Sequence, residues 1–438
     1  MNYLQAKKLF SQTYQLIDAE KYLEALQILV KISSAQLFYK NPPFDKHELI
    51  KTAEMCCKAL QNNNKEINEA KIGYGVILRN SNMITESINI FESILEQGIQ
   101  KEVILENAYS LELFGDNKKA LNLLLDGLKK YPYEKMILNN IATLYEIEEE
   151  WDLALNYYNL ALEIDDKGGI SHYNKGRVLY VLEQYDQALY HFEKAQRLYE
   201  NNDFRIIDVY IFLADTHLQL KHYKKAEIIY NEIISLFPKR SEGYYSISDF
   251  YYNIGNKVRS LKYIEKAINL SFPQIDYYHK KAYILNDLNQ SKKALFTIKK
   301  AKIHFPNDVK LLDLEAEILN SQNNYAAAIK VYQKRLEIDI QEDIFFYLAD
   351  CFFNLQNYSE GFFWINRYIK TNDKYSEAYI LRAKINAITG YYHLALDDLK
   401  RALTLENNSL HLDESDWYYF ENLTVIQEFH EFLKEVEK

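Results

Sequence analysis

Small and apolar residues recur along this chain with the spacing of paired amphipathic helices. The most regular position holds one small residue near the start of each second helix, at Ser87, Ala120, Ala154, Ala188, Ala226, Ser260, Ala294, Ala328, Gly361 and Ala395. Consecutive members lie 33 or 34 residues apart, except for one interval of 38 between Ala188 and Ala226. A period of this length predicts stacked helical hairpins, each of which buries its apolar face only against its neighbours.

Two further positions repeat with the same period. A small residue lies in the first helix of most hairpins, at Ala108, Ala142, Gly176, Ala214, Ser248, Ala282, Ala316, Ala349 and Ala383. A large apolar residue follows in the second helix, at Leu124, Tyr158, Phe192, Tyr230, Ile264, Ile298, Tyr332, Ile365 and Leu399. Because small side chains let two helix backbones approach, the two helices of a hairpin are expected to cross at these positions and to run antiparallel.

The pattern resembles the tetratricopeptide repeat (TPR) family, whose succession of an aromatic, Leu-Gly, Tyr, Ala, Phe, Ala and Pro has this period. The resemblance covers roughly Asn68 to Asn408, with Pro132, Pro238 and Pro306 closing their units at equivalent places. It implies an all-α fold, a right-handed superhelical solenoid of antiparallel helical hairpins. In this family the first helices line a concave groove, and the ligands are usually extended peptides or partner helices.

Three segments depart from the period and set the predicted domain boundaries. Residues 1–67 are expected to form atypical N-terminal helices that include one degenerate repeat, and 68–409 about ten repeats. Residues 410–438 are expected to form an acidic capping helix with an apolar stripe at Trp417, Phe420, Leu423, Ile426, Phe429 and Leu433. About four extra residues near 201–205 account for the long interval, and a bend of the solenoid is one interpretation of them. A longer loop is the other.

Charge and cysteine content narrow the class of protein. The formal net charge is −10, and residues 411–438 contribute eight carboxylates against two lysines. This balance disfavours a nucleic-acid partner, because phosphate binding depends on Lys and Arg. The three cysteines, Cys56, Cys57 and Cys351, have neither disulfide nor metal-site spacing. No secretory signal or transmembrane run is present, so we expect a cytoplasmic protein without membrane insertion.

Motifs that carry chemistry are missing from the sequence. It contains no phosphate-binding glycine loop, no HExxH motif and no arrangement that indicates a nucleophile with its base. The glycines of Gly73-Tyr74-Gly75 occupy a small-residue position, and adjacent cysteines on a helix point apart. We therefore expect no enzyme, no cofactor and no metal.

The candidate binding residues lie one position after the small residue of the first helix, which should point into the groove. In the second half of the chain this position holds Asp215, Asp249, Tyr283, Glu317 and Asp350. Such an acidic ladder would suit a segment that bears Lys or Arg. The alternative is that these acids bridge neighbouring repeats. A second set (Asp208, Glu242, Asp276 and Asp343) begins first helices, where stabilisation by the helix dipole is the simpler explanation.

Aromatic and amide side chains extend the candidate site. Tyr245, Tyr252, Phe346 and Phe353 are expected on or near the groove, where they could anchor a partner or pack internally. In the first half, Asn140 and Asn174 occupy equivalent places, followed by Arg177, and such amides are similar to those that hold a peptide backbone in some family members. A clamp for an acidic chaperone tail needs Lys at a position that here holds none, for instance Tyr245, Asp313 or Phe346.

These features predict a non-catalytic scaffold or adaptor that binds a protein or peptide segment, basic if the ladder is used. A regulatory or sensor repeat protein is the first alternative, and a helical-repeat RNA-binding protein, which would need a basic groove, is the second. The identity of the partner and the oligomeric state do not follow from these residues.

Overall fold

A computed structural model describes residues 3–36, 45–60, 64–98, 100–199, 206–406, 412, 414–425 and 427–436. Within these ranges all regular structure is helical, with 25 α-helices and one 3₁₀-helix, so the prediction of an all-α helical-repeat solenoid is confirmed. The chain divides into two compact units, Met1–Pro238 and Lys239–Lys438.

The first unit contains thirteen helices in the residues that the structure describes. They are α1 (Tyr3–Asp18), α2 (Tyr22–Gln36), α3 (Lys46–Ala59), α4 (Asn64–Asn80), α5 (Ile84–Leu95), α6 (Lys101–Phe114), α7 (Asn117–Lys130), α8 (Lys135–Ile147), α9 (Trp151–Ile164), α10 (Gly169–Val181), α11 (Tyr185–Leu198), α12 (Ile206–Gln219) and α13 (Tyr223–Leu236). Helices α1 and α2 pair as a hairpin, and α3 follows alone and packs against α2 and α4. The predicted insertion at 201–205 lies outside the described residues, and α11 and α12 on either side of it pack together.

The second unit contains five hairpins and a C-terminal segment. Its helices are α14 (Ser241–Asn253), α15 (Lys257–Leu270), α16 (Ile275–Asp287), α17 (Ser291–Ala301), α18 (Val309–Ser321), α19 (Tyr325–Ile338), α20 (Asp343–Asn354), α21 (Tyr358–Thr371), α22 (Ser376–Ile388), α23 (Tyr392–Leu405), α24 (Glu414–Phe420), the 3₁₀-helix Glu421–Val425 and α25 (Gln427–Val436). Neighbouring first helices also touch directly, as α16 does α18 and α20 does α22.

Small residues form the contact between the two helices of a hairpin. The Ser248 hydroxyl of α14 lies 3.0 Å from the Ser260 hydroxyl of α15 and donates to the Ser260 carbonyl at 2.9 Å. In α10, a Cβ added at Gly176 would meet the Phe192 ring at 2.7 Å. A larger side chain at these positions would therefore push the two helices apart.

The C-terminal segment is not one continuous helix as the sequence predicted, because the 3₁₀-helix separates α24 from α25. Phe420, Leu423, Phe429 and Phe432 are all buried in one core with α22 and α23. Of the predicted stripe, Ile426 and the side chain of Leu433 lie outside the described residues. Phe432, which the predicted stripe did not include, also lies in this core.

Candidate functional site

The first-helix face of the second unit, formed by α14, α16, α18 and α20, carries four of the five predicted ladder residues: Asp249, Tyr283, Glu317 and Asp350. The small residues that precede them, Ser248, Ala282, Ala316 and Ala349, are fully buried. Each ladder residue therefore directly follows the position at which the two helices of its hairpin are in close contact. Asp215 belongs to the first unit, on α12.

Three of the four ladder acids have partners inside the protein. Tyr230 of α13 donates a hydrogen bond to the Asp215 carboxylate. Lys280 of α16 forms an ion pair with Asp249 at 2.5 Å. Asp350 is hydrogen-bonded to Asn354 at 3.1 Å and to Asn320 of the preceding first helix, and burial raises the pKa of its carboxyl. At Asp249 and Asp350 the side chains thus join neighbouring repeats, which is the alternative that the sequence left open.

Glu317 and Tyr283, the other two ladder residues of this unit, have exposed side chains. The Glu317 side chain is exposed and has no ion-pair or hydrogen-bond partner among the residues that the structure describes. Tyr283 is 40% exposed, and its ring meets the edge of Tyr252 at 5.8 Å. Lys280 covers the Tyr252 ring at 4.4 Å while it pairs with Asp249. Glu317 is therefore the ladder acid of this unit that is free to receive a cation.

The predicted aromatic anchors pack largely against other rings. Tyr245 stacks on Tyr277 at 4.8 Å, and burial raises the pKa of its hydroxyl to about 12. Phe346 lies among Tyr347, Tyr368 and Tyr375, whose ring centroids are 5.4 to 6.0 Å away. These rings shape the first-helix face, and much of their area is already covered.

Phe353 of α20 is not open to a partner. It is 8% exposed, its ring is tilted against that of Tyr358, and it packs edge-on against Tyr419 of α24. Of the two roles that the sequence left open for this ring, internal packing is the one seen, because the C-terminal segment covers it.

In the first unit, Asn140 and Asn174 are half-buried on α8 and α10. Arg177 donates to Glu146 at 3.2 Å, and Tyr158 also donates to Glu146. Burial raises the pKa of this carboxyl, and its two partners lower it. Arg177 is thus committed in part to a partner within the protein. The buried amide here is Asn139, one residue earlier, which donates to the Ser171 hydroxyl at 2.9 Å.

A cavity of about 310 Å³ lies between α18, α19 and α20, beside Glu317. Its lining includes Asp313, Tyr332, Asp343 and Tyr347 as well as Glu317. The sequence reasoning identified Glu317 as a ligand candidate and assigned Asp343 to the helix dipole. It did not connect these two with Tyr332 and Tyr347. The usable signal was the repeat register, which places Tyr332 directly opposite Glu317 within one hairpin.

Nowhere in the ranges given above do three or more His, Cys, Asp or Glu residues form a group that could hold a metal ion. None of the helices seen in those ranges has the length and hydrophobicity needed to cross a membrane.

Comparisons with known proteins identify tetratricopeptide repeats in the middle of the chain. A tetratricopeptide repeat family model matches residues 169–239, and a second such model matches residues 241–273. The chain is similar to a TPR repeat-containing protein of Methanocaldococcus jannaschii, with 22% identity over 400 residues that cover 75% of this chain and 69% of that one. It is also similar to anaphase-promoting complex subunit 3 of Schizosaccharomyces pombe, with 25% identity over 95 residues, or 21% of this chain and 14% of the subunit.

Among solved structures, the chain is similar to a tetratricopeptide repeat protein from Parabacteroides merdae, with a TM-score of 0.47 and 21% identity. The match covers 57% of this chain and 98% of that one.

Proposed function

Since the chain is a tetratricopeptide repeat protein, we propose that it is a non-catalytic scaffold or adaptor of the cytoplasm that binds a basic segment of a partner protein. Repeats of this family mediate protein and peptide interactions in general. The proposed binding surface is the first-helix face of the second unit. Its partner is a segment that carries Lys or Arg.

The observation that carries this proposal is the pairing state of the acids on this face. Asp249 already has Lys280, whereas Glu317 and Asp343 have no cation partner among the described side chains. Unpaired carboxylates at a cavity attract a cationic group and orient it during encounter. The same charges disfavour an acidic peptide or a phosphate backbone.

The proposal is tested by selecting short random peptides displayed on phage against the full chain. We expect the selected peptides to be enriched in Lys and Arg, and synthetic copies to bind less tightly as ionic strength rises from about 0.05 M to about 0.5 M. Fluorescence anisotropy of the labelled peptides measures this dependence. Selection without basic enrichment, or binding that salt leaves unchanged, would refute a basic partner.

A pair of substitutions locates the binding surface. Glu317→Gln with Asp343→Asn removes the unpaired acids and is expected to weaken the selected peptides. The matched pair Glu337→Gln with Asp397→Asn changes the net charge equally at exposed positions on the second helices α19 and α23, outside the cavity. Equal loss in both variants would indicate only a general effect of charge.

A further inference from the structure

The cavity between α18, α19 and α20 is large enough for part of a side chain. Its volume of about 310 Å³ compares with about 30 Å³ for one water molecule in the liquid. It is formed by two consecutive hairpins, since α18 and α19 belong to one and α20 begins the next. Three carboxylates, two tyrosines and the amides of Asn320 and Gln341 line it, and the amide of Asn320 is already bonded to Asp350.

The three carboxylates of the cavity carry a net negative charge. Asp313 accepts a hydrogen bond from Nε of Arg335 at 3.1 Å, and Arg335 is fully buried. Glu317 on α18 and Asp343 at the start of α20 have no such partner within the described part of the chain. One carboxylate is therefore neutralised and two are available to a ligand.

The Tyr332 hydroxyl is a third polar group of the cavity without a partner. At the equivalent position in the first unit, Tyr158 bonds to Thr143 at 3.1 Å and to Glu146, and Tyr230 bonds to Asp215. Tyr332 is only 5% exposed and makes no hydrogen bond to any residue that the structure describes. Because Tyr332 lines the cavity and its hydroxyl has no bond to give up, this hydroxyl is able to bond a group that enters the cavity.

The Tyr347 ring supplies an aromatic face. It stacks on Tyr332 with a centroid distance of 5.6 Å and an interplanar angle of 9°, and it is 45% exposed. Tyrosine rings attract cations through their faces. The chain uses this contact elsewhere, for instance where the Arg367 guanidinium lies 4.5 Å from the Phe345 centroid.

We propose that this cavity binds the guanidinium group of an arginine side chain in the partner segment, an inference that rests on the proposed function and specifies its anchor. A guanidinium is planar and has five N–H donors in a fixed fork, so it can bond separate acceptors while it stacks on a ring. Glu317, Asp343 and the Tyr332 hydroxyl are the acceptors, and Tyr347 is the stacking surface. An ammonium group has three donors and no plane to stack, and is therefore the weaker occupant.

Nuclear magnetic resonance of the full chain with ¹³C-labelled isoleucine methyl groups tests the site. Ile344 also lines the cavity, and its signal is assigned by its loss in Ile344→Leu. The probes are N-acetyl-arginine amide, N-acetyl-lysine amide and N-acetyl-citrulline amide, the last of which keeps the shape of arginine without its charge. We expect a saturable shift of Ile344 with the arginine probe, weaker binding of the lysine probe and no shift with the citrulline probe.

Variants separate the contributions of the acids and the hydroxyl. Glu317→Gln with Asp343→Asn should weaken the arginine probe by at least about tenfold, since both charge-assisted hydrogen bonds are lost. Tyr332→Phe should give a smaller loss, and Glu337→Gln with Asp397→Asn no loss. Equal binding of arginine and citrulline, or an unchanged affinity in the double variant, would overturn the inference.

Failure of this inference is distinguishable from failure of the proposed function. If selected basic peptides bind the chain without shifting Ile344, the arginine site is wrong and the proposed function stands. If the arginine probe shifts Ile344 and no basic peptide is selected, the site is supported and the basic partner is not.

Discussion

Two buried imidazoles meet inside the α10–α11 hairpin. Nδ1 of His172 lies 2.8 Å from Nδ1 of His191, and Nε2 of His172 lies 3.0 Å from the carbonyl oxygen of Asp166. Because a carbonyl only accepts, His172 carries its proton on Nε2, and its Nδ1 accepts from the Nδ1–H of His191. Both rings are then neutral. Burial lowers the pKa of both, that of His191 to about 3.

Acidification should destabilise the first unit through this pair. Since the pKa of His191 is lowered from its ordinary value of 6.5, its stabilising contribution is complete above that pH and is lost as the pH falls toward 3. We expect the free energy of unfolding to be about 2 kcal/mol lower at pH 5 than at pH 7 from His191 alone. Urea unfolding at both pH values measures it. His191→Gln should lose most of this dependence, and the exposed His47→Gln should keep it; equal behaviour would contradict the assignment.

At single positions the sequence predicted burial well and pairing poorly. The repeated small and large apolar positions are buried because the period alone decides which face meets a neighbour. Whether a ladder acid is paired depends on another repeat. Lys280 lies 31 residues after Asp249, whereas the residue 31 after Glu317 is the buried Leu348. Comparing repeats at this offset would have separated the paired acid from the free one.

The eleven hairpins in the described residues share one turn geometry. Each has one residue with positive φ between its helices: Glu20, Asn82, Gly115, Glu149, Glu183, Lys221, Gly255, Asn289, Asn323, Gln356 and Gly390. At Gly255 the N–H donates to the Tyr252 carbonyl at 2.9 Å, and the next N–H donates to the Tyr251 carbonyl at 2.7 Å. This is the pair of bonds of a Schellman motif, which favours glycine at the left-handed residue. Eight of the eleven turns use another residue and hold it in that strained region.

Glycine at such a turn should stabilise its hairpin. Glu183 has φ of 58°, and we expect Glu183→Gly to raise the free energy of unfolding by about 0.5 to 1 kcal/mol, because the Cβ strain is removed. Asn289→Gly should gain less, since Asn tolerates this conformation. Thermal unfolding compares them. Gln184→Gly, at φ of −82°, is the control that should give no gain. A gain there as large as at Glu183 would argue against the explanation.

The sequence predicted the helices themselves more accurately than the residues at which they end. At Gly115 and Gly255 the residue type itself indicates the turn, because φ is positive there and glycine favours the left-handed region. The residue type gives no such signal at Glu183 or Lys221, where the same pair of backbone hydrogen bonds closes the helix around an exposed residue that is not glycine. The break between α24 and α25 was missed for a related reason. A helical stripe records which side chains are apolar, and not whether the backbone stays regular between them.

The second unit ends in an apolar surface that needs a cover. Phe420 and Phe432 of the C-terminal segment are each 1% exposed and join the core of α22 and α23. In a stack of repeats each hairpin is stabilised by its neighbours, so the last one lacks a partner on one side. We propose that the C-terminal segment takes the place of that partner.

Loss of this cover should be felt most strongly at the end of the array. Phe420→Ala is expected to destabilise α22 and α23 by about 3 kcal/mol and to speed their amide hydrogen exchange. Exchange in α14 and α15 should change little, because those helices lie several neighbours away. Hydrogen exchange with mass spectrometry resolves the two regions. Tyr418→Ala, at a residue 72% exposed, is the control. Uniform acceleration throughout the unit would show that it unfolds as one cooperative body instead.

The proposed arginine site between α18 and α20 lies within about one repeat length of sequence. All of the residues proposed to hold the guanidinium fall between Asp313 and Tyr347, a continuous stretch hardly longer than one period of the repeat. Duplication or recombination of a single repeat length would therefore copy the complete recognition site along with its scaffold. We therefore expect this segment, inserted in register into another repeat array of this kind, to carry the proposed arginine site with it.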